Sequence, residues 1–211
     1  MADLILKDVR LSFPQLGEPD YYQSKKQRPD DERRWDAAFL IPYGSPQIAV
    51  VEAAILAVAK AKWEKKWEMV LENLRGDPKG FCFQDGKKKA YDGYAGHWAL
   101  TSHRRESKGR PLVLDSDKSP IYLGKAASGA PGEGPNDLYK GKAGRVYGGC
   151  YVNAHVEIFA WDSTKNASKG IGCELLGIQR KRDGDAFTGG MAPDADAFDE
   201  ITEGNNADDL T

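Results

Sequence analysis

Residues 151–161, YVNAHVEIFAW, sort by strand alternation into two unlike faces. Val152, Ala154, Val156, Ile158 and Ala160 make an apolar side, while Tyr151, Asn153, His155, Glu157, Phe159 and Trp161 make the other. An ordinary solvent face carries Lys, Glu and Thr, so three large rings on that side need a partner. Either another part of the chain covers them, or they are platforms for flat ligands such as unpaired bases, each stack being worth about 1–3 kcal/mol. Cations gather at the ends of neighbouring stretches: Arg104 and Arg105 after GHWALTSH, Lys140, Lys142 and Arg145 before Tyr151, and Arg180, Lys181 and Arg182 after GIQ. Trp98 adds a ring in a strand context, and Tyr94, Tyr122, Tyr139 and Tyr147 add others in strands or loops. Rings that stack, with Lys or Arg that displace counterions from phosphates, are what a single-stranded nucleic acid site requires.

Catalytic constellations are harder to find. His97, His103 and His155 show no HxH or HExxH spacing, no GxxxxGK[ST] phosphate loop occurs, and no serine sits in a GxSxG elbow. Cys82, Cys150 and Cys173 form no CxxC pair and are odd in number, so buried free thiols are expected rather than disulfides or a zinc site. Asp115 and Asp117, with Glu157 or Asp162, are the one set that could assemble a two-metal nuclease centre. DSD between two short strands is more economically a turn. A non-enzyme without metal or cofactor is therefore expected, with a metal-dependent nuclease or other DNA-processing enzyme as the alternative.

The elements that must position these residues are mostly short strands. Apolar and polar residues alternate in 3–13, with Val9, Leu11 and Phe13 expected on one face and Asp8, Arg10 and Ser12 on the other. Further strands are expected at 35–41, 80–83, 96–105, 111–115, 121–124, 151–161 and 170–182. Residues 17–34 carry Lys25, Lys26, Arg28, Arg33 and Arg34 and read as a loop able to wrap a phosphate backbone or simply to be solvated. Ser45-Pro46 starts a helix, Gly76 stops it, and Ile48, Val51, Ile55, Val58, Ala59, Trp63, Trp67, Val70 and Leu74 form its apolar stripe. That one long helix, about 45–75, is expected to be scaffold. The Gly-rich stretch at about 124–149 is expected to be a surface loop. Many short strands, glycine turns and one helix point to a mainly β fold, a small barrel or highly curved sheet.

A chain of 211 residues is long enough for one hydrophobic core, so one domain is expected over residues 1–190. No apolar run approaches the ~20 residues of a membrane helix, and the start, MADLILKDVR, does not read as a secretory signal, so a cytoplasmic location without membrane contact is expected. The net charge of -2 hides a division. Residues 191–211 hold seven acids and no Lys or Arg, and setting them aside leaves a body of +5. This segment is expected to be a flexible acidic tail that competes for a basic groove or recruits partners through Asp196, Phe198, Asp199 and Glu200.

The runs GGCYVNAHVEIFAWD and KGIGCELLGIQRKRDGDAF, with the acidic end DAFDEI, resemble a family of phage single-stranded DNA-binding proteins. LKDVRLSFPQL and WDAAFLIP ahead of the long helix extend the likeness over nearly the whole chain, and GCYVNA and GIQ-x-x-RDG are its specific elements. The resemblance implies an elaborated OB-fold, binding of single-stranded DNA without sequence preference, no catalysis, and a role in phage replication or recombination, whose proteins would be the tail's partners. It leaves open which rings stack and the oligomeric state. In one respect the chain departs from the simplest OB pattern, because its helix follows the second strand rather than the third.

Overall fold

The computed structural model describes residues 1–22, 26, 31–121, 146–163 and 168–187. Its strands are β1 (Ala2–Asp20), β2 (Arg34–Pro42), β3 (Phe83–Asp85), β4 (His97–Arg105), β5 (Leu112–Leu114), β6 (Tyr151–Asp162) and β7 (Lys169–Arg182), with helices α1 (Pro46–Trp63) and α2 (Trp67–Arg75) between β2 and β3. Antiparallel ladders join β2 to β4, β1 to β2, β1 to β6 and β6 to β7, and a parallel pairing of β4 with β7 closes the circle. Counting only these five strands, the order around the barrel is first, second, third, fifth, fourth, the Greek-key connectivity of an OB-fold. β3 extends the wall beside β4, and β5 adds to β7 in parallel. The helical insertion does follow the second barrel strand.

Alternation explains the core of β6, where Val152, Ala154, Val156 and Ile158 are fully buried. β1 obeys it only in pieces. Val9 and Leu11 are buried as expected, but Phe13, expected beside them, is 45% exposed, and Ser12 is buried instead. Here the expectation is corrected by local geometry: Phe13 takes φ 46°, and the β1–β2 register slips between Ser12 and Gln15, so a bulge turns the ring outward. A second slip, between Leu6 and Val9 in the pairing with β6, coincides with Asp8 at φ 55°.

The helix begins where Ser45 caps it, its hydroxyl accepting from the Gln47 N–H with Pro46 following, and ends at Gly76. The stripe buries Val51, Ile55, Val58, Ala59, Trp63, Val70 and Leu74. It is not one straight rod, since Glu64 at φ 44° and a short 3-10 turn over Glu64–Lys66 divide it. α1 lies against β1 and β6 while α2 lies against β7, so the break lets one stripe follow a curved wall. Trp63 is fixed there by its indole N–H, which donates to Asp162 at 2.7 Å. The strand expected at 80–83 forms over Phe83–Asp85; Ile121 is not in a strand, and 122–124 lie outside the described residues. The three thiols are free and buried, and burial pushes Cys82 up to about 12.

The barrel closes on a thin seam. β4 and β7 share one backbone pair, His103 with Glu174. The Glu174 carboxylate, 7% exposed, reinforces it by pairing with Arg104 at 2.7 Å and with Lys108.

Candidate nucleic-acid interface

A groove of about 1440 Å³ runs over the outer face of β1, β2, β4, β6 and β7. It lies on the strands and loops with which OB-folds take oligonucleotides, here β2 and β4 with the loops after β1 and between β6 and β7. Part of its wall comes from the end of β6. Phe159 and Trp161 lie across β7 on their register partners Gly172 and Gly170. A Cβ at those glycines would come within 2.5 and 2.4 Å of a ring carbon, so the alternating glycines of KGIGC are what allow the rings to lie down on the sheet.

A second group of rings is made by Phe13, Tyr91 and Tyr94, with centroids 5.0 Å apart for Phe13–Tyr91, 5.3 Å for Tyr91–Tyr94 and 6.2 Å for Phe13–Tyr94. Tyr94 is buried beneath, while Phe13 and Tyr91 stay nearly half exposed. Tyr21 and Tyr22 border the groove where β1 ends, and the Arg34 guanidinium stands 4.6 Å from the Tyr22 ring centroid. Among the described residues, Arg34, Lys79, Lys89 and Arg105 line the groove against Asp20, Asp36 and Asp92. The near balance of sign makes ring stacking, rather than bulk charge, the groove's main attraction for a flexible strand.

His103 sits among these groups opposite Asp36. Burial, followed by the nearby charges of Arg34 and Arg105, pulls its pKa down to about 4, so the imidazole is neutral at pH 7. Burial likewise raises Asp36, against the opposing pull of Arg34, which pairs with it at 2.9 Å. A neutral ring offers a hydrogen bond without repelling Arg34 or Arg105.

Of the rings and cations singled out in the sequence, Phe159, Trp161, Tyr94, Arg34 and Arg105 line this groove. The outward face of β6 is split, however. His155 is paired with Asp3 at 2.5 Å, and Asn153 accepts from the Asp8 N–H and donates to Gln179. Tyr151 lies between β1 and β7 neighbours, 3.3 Å from the Arg182 guanidinium. Trp98, on the Leu100 side of β4, packs on the core and stacks on Phe83 at 4.9 Å. Arg104 is tied to Glu174 and to the carbonyls of Lys108 and Gly109. Arg180 opposes Val152 and is 8% exposed, its guanidinium bound to Asp183 at 2.8 Å, whereas Lys181 and Arg182 are half exposed and share Asp8. Trp98, Arg104 and Arg180 are thus each packed on or bonded to neighbouring parts of the barrel wall, and none of the three lines the groove. Lys140, Lys142, Arg145, Asp196, Phe198, Asp199 and Glu200 lie outside the described residues. Phe13, Tyr22, Tyr91 and Phe187 are groove residues the sequence reading missed. Gly170 and Gly172, spaced by two opposite Phe159 and Trp161, were the legible signal for where rings could lie.

Asp115 accepts from the Ser116 N–H, and Asp117 accepts from the N–H and hydroxyl of Ser119, so the DSD segment is a turn. No three metal-binding side chains gather among the described residues.

The family model described as the ssDNA-binding protein of Enterobacter phage Enc34 matches residues 2–211. Protein p50 of Acyrthosiphon pisum secondary endosymbiont phage 1 is 36% identical over 199 residues, which span 93% of this chain and 92% of that protein. Among solved structures, the Enc34 single-stranded DNA-binding protein in complex with ssDNA aligns with a TM-score of 0.61 at 19% identity, covering 88% of this chain and 89% of that one. The single-stranded DNA-binding protein gp2.5 of bacteriophage T7 aligns at 0.50 and 13% identity, covering 95% and 98%. At such identities the structural likeness speaks for the shared fold.

Proposed function

Because this chain belongs to the family of the Enterobacter phage Enc34 single-stranded DNA-binding protein, we propose that it binds single-stranded DNA without sequence preference and without cleaving it. The observation that carries this reading is the pair of ring groups, Phe159–Trp161 and Phe13–Tyr91–Tyr94, lining one groove on the oligonucleotide-binding face of an OB barrel. Every base has a face to stack, which makes the grip sequence-tolerant, and Arg34, Arg105, Lys79 and Lys89 supply phosphate contacts. Residues 1–190 are the DNA-binding unit in this reading, acting in phage replication or recombination in the host cytoplasm. No helix in the described residues is long and apolar enough to cross a membrane. A mobility shift with matched single- and double-stranded oligonucleotides of several sequences, with and without magnesium, is the test. Retention of intact single strands of every sequence is expected. Equal affinity for duplex, or cleavage, overturns the reading.

The acidic segment 191–211 acts, in the same reading, as a tethered polyanion that competes with DNA and offers Phe198 with Asp196, Asp199 and Glu200 to replication partners when displaced. Seven negative charges linked to a body of +5 act at high effective concentration. Deleting 191–211 is expected to tighten DNA binding at low salt, with the advantage shrinking as screening shortens to a Debye length of about 10 Å at 0.1 M. Coincident titration curves for both chains across a salt series would leave the segment no role in binding.

A further inference from the structure

A second row of charges and rings crosses the barrel wall, built from the ends of β6 and β7 that the groove does not use. Register sets Arg10 of β1 opposite Tyr151 of β6, and Tyr151 opposite Arg182 of β7. The side chains follow the same order. The Arg182 guanidinium lies 3.3 Å and that of Arg10 5.6 Å from the Tyr151 ring centroid, so one ring serves two cations. Arg10 also stands 4.3 Å from the centroid of Phe187, which lines the groove. The row therefore starts at the groove's rim and leads away from it.

Backbone packing holds the row in place. Past β7 the chain turns back at Gly184, where a Cβ would meet the Tyr151 ring at 2.9 Å. It then passes Gly149, whose φ of 107° lets the Asp185 carbonyl approach, and Phe187 donates its N–H to Gly148 at 2.9 Å. Arg10 donates to the carbonyls of Gly149 and Asp185, neutral acceptors, and among the described residues it makes no ion pair. Lys181 and Arg182, both half exposed, share the single carboxylate of Asp8 at 3.2 Å each. Among the described residues at this end of the wall, Arg10, Arg180, Lys181 and Arg182 stand against Asp8, Asp183 and Asp185, a small surplus of positive charge in which two exposed cations share one carboxylate.

We propose that Arg10, Tyr151, Lys181 and Arg182 form a second contact for the same DNA strand, its phosphates taking up the surplus charge as the strand leaves the groove past Phe187. The proposal rests on the groove reading above. A strand short enough to fill only the groove would not reach the row, whereas a longer one would, since one OB barrel occupies about 4–16 nucleotides depending on how the strand is laid.

The test compares oligothymidylates of about 6 and about 30 nucleotides on the full chain and on its Lys181→Ala and Arg182→Ala variants. Both variants are expected to bind the short strand as the unaltered chain does. The long strand should weaken about three- to tenfold at low salt, with a salt slope shallower by about 0.7 for each phosphate no longer neutralised. Unchanged binding at both lengths, or equal loss at both, overturns the row while leaving the groove standing. If the unaltered chain binds neither strand, the groove reading falls and takes the row with it. Arg182 also packs on Tyr151, so if that variant melts early the decision passes to Lys181→Ala, which stacks on no ring among the described residues.

Discussion

Replacing Phe13 and Trp161 together by alanine is expected to weaken single-stranded DNA binding by about 2–6 kcal/mol, the sum of two stacks of about 1–3 kcal/mol each. The two rings belong to separate ring groups, and distant sites add with little coupling. Neither ring is part of the buried core. Phe13 is turned out by its bulge, and Trp161 lies over Gly170 on the outer face, so the barrel should keep a cooperative transition. Single variants should each give roughly half the loss. If the double variant melts markedly earlier yet binds with undiminished affinity whenever folded, the rings exist to cover a glycine-paved strand, and the groove has another ligand.

Glu174→Ala is expected to lower stability by about 2–3 kcal/mol, chiefly through its bond to Arg104. The carboxylate is buried in the β4–β7 seam, where one backbone pair closes the barrel, and its removal strips the partly buried Arg104 of its counter-charge. Lys108→Ala removes the exposed half of the same network and should cost within about 1 kcal/mol. Urea unfolding of both variants measures the contrast. Equal small losses would mean that backbone and core packing alone close the seam, and the ion pair is incidental. Because the seam runs beside His103 and Cys173 in the groove wall, a loosened Glu174 variant should also bind DNA less tightly than its folded fraction accounts for.

What the sequence alone determined follows from local periodicity and local chemistry. Period-two alternation sorted the faces of β6, Ser45-Pro46 and Gly76 bounded the helical run, and the absence of catalytic spacing pointed away from an enzyme, because each depends only on residues a few positions apart. The motifs GCYVNA and GIQ-x-x-RDG carried the family resemblance in the same way. The tertiary structure decided which of those outward residues share a site. Three register shifts interrupt β1, two against β2 and one against β6, and each is set by partners far along the chain, so Phe13 could not be placed by its own neighbours. The side on which Arg180 stands was likewise set by pairing with β6, which put it beside Val152. Tyr151 and Trp161 share one face of one strand, yet the barrel's curvature sends Trp161 into the groove and leaves Tyr151 among arginines. A strand's faces are a property of its own sequence, but a groove is made where strands distant in the chain meet, and only closure of the barrel brings them together.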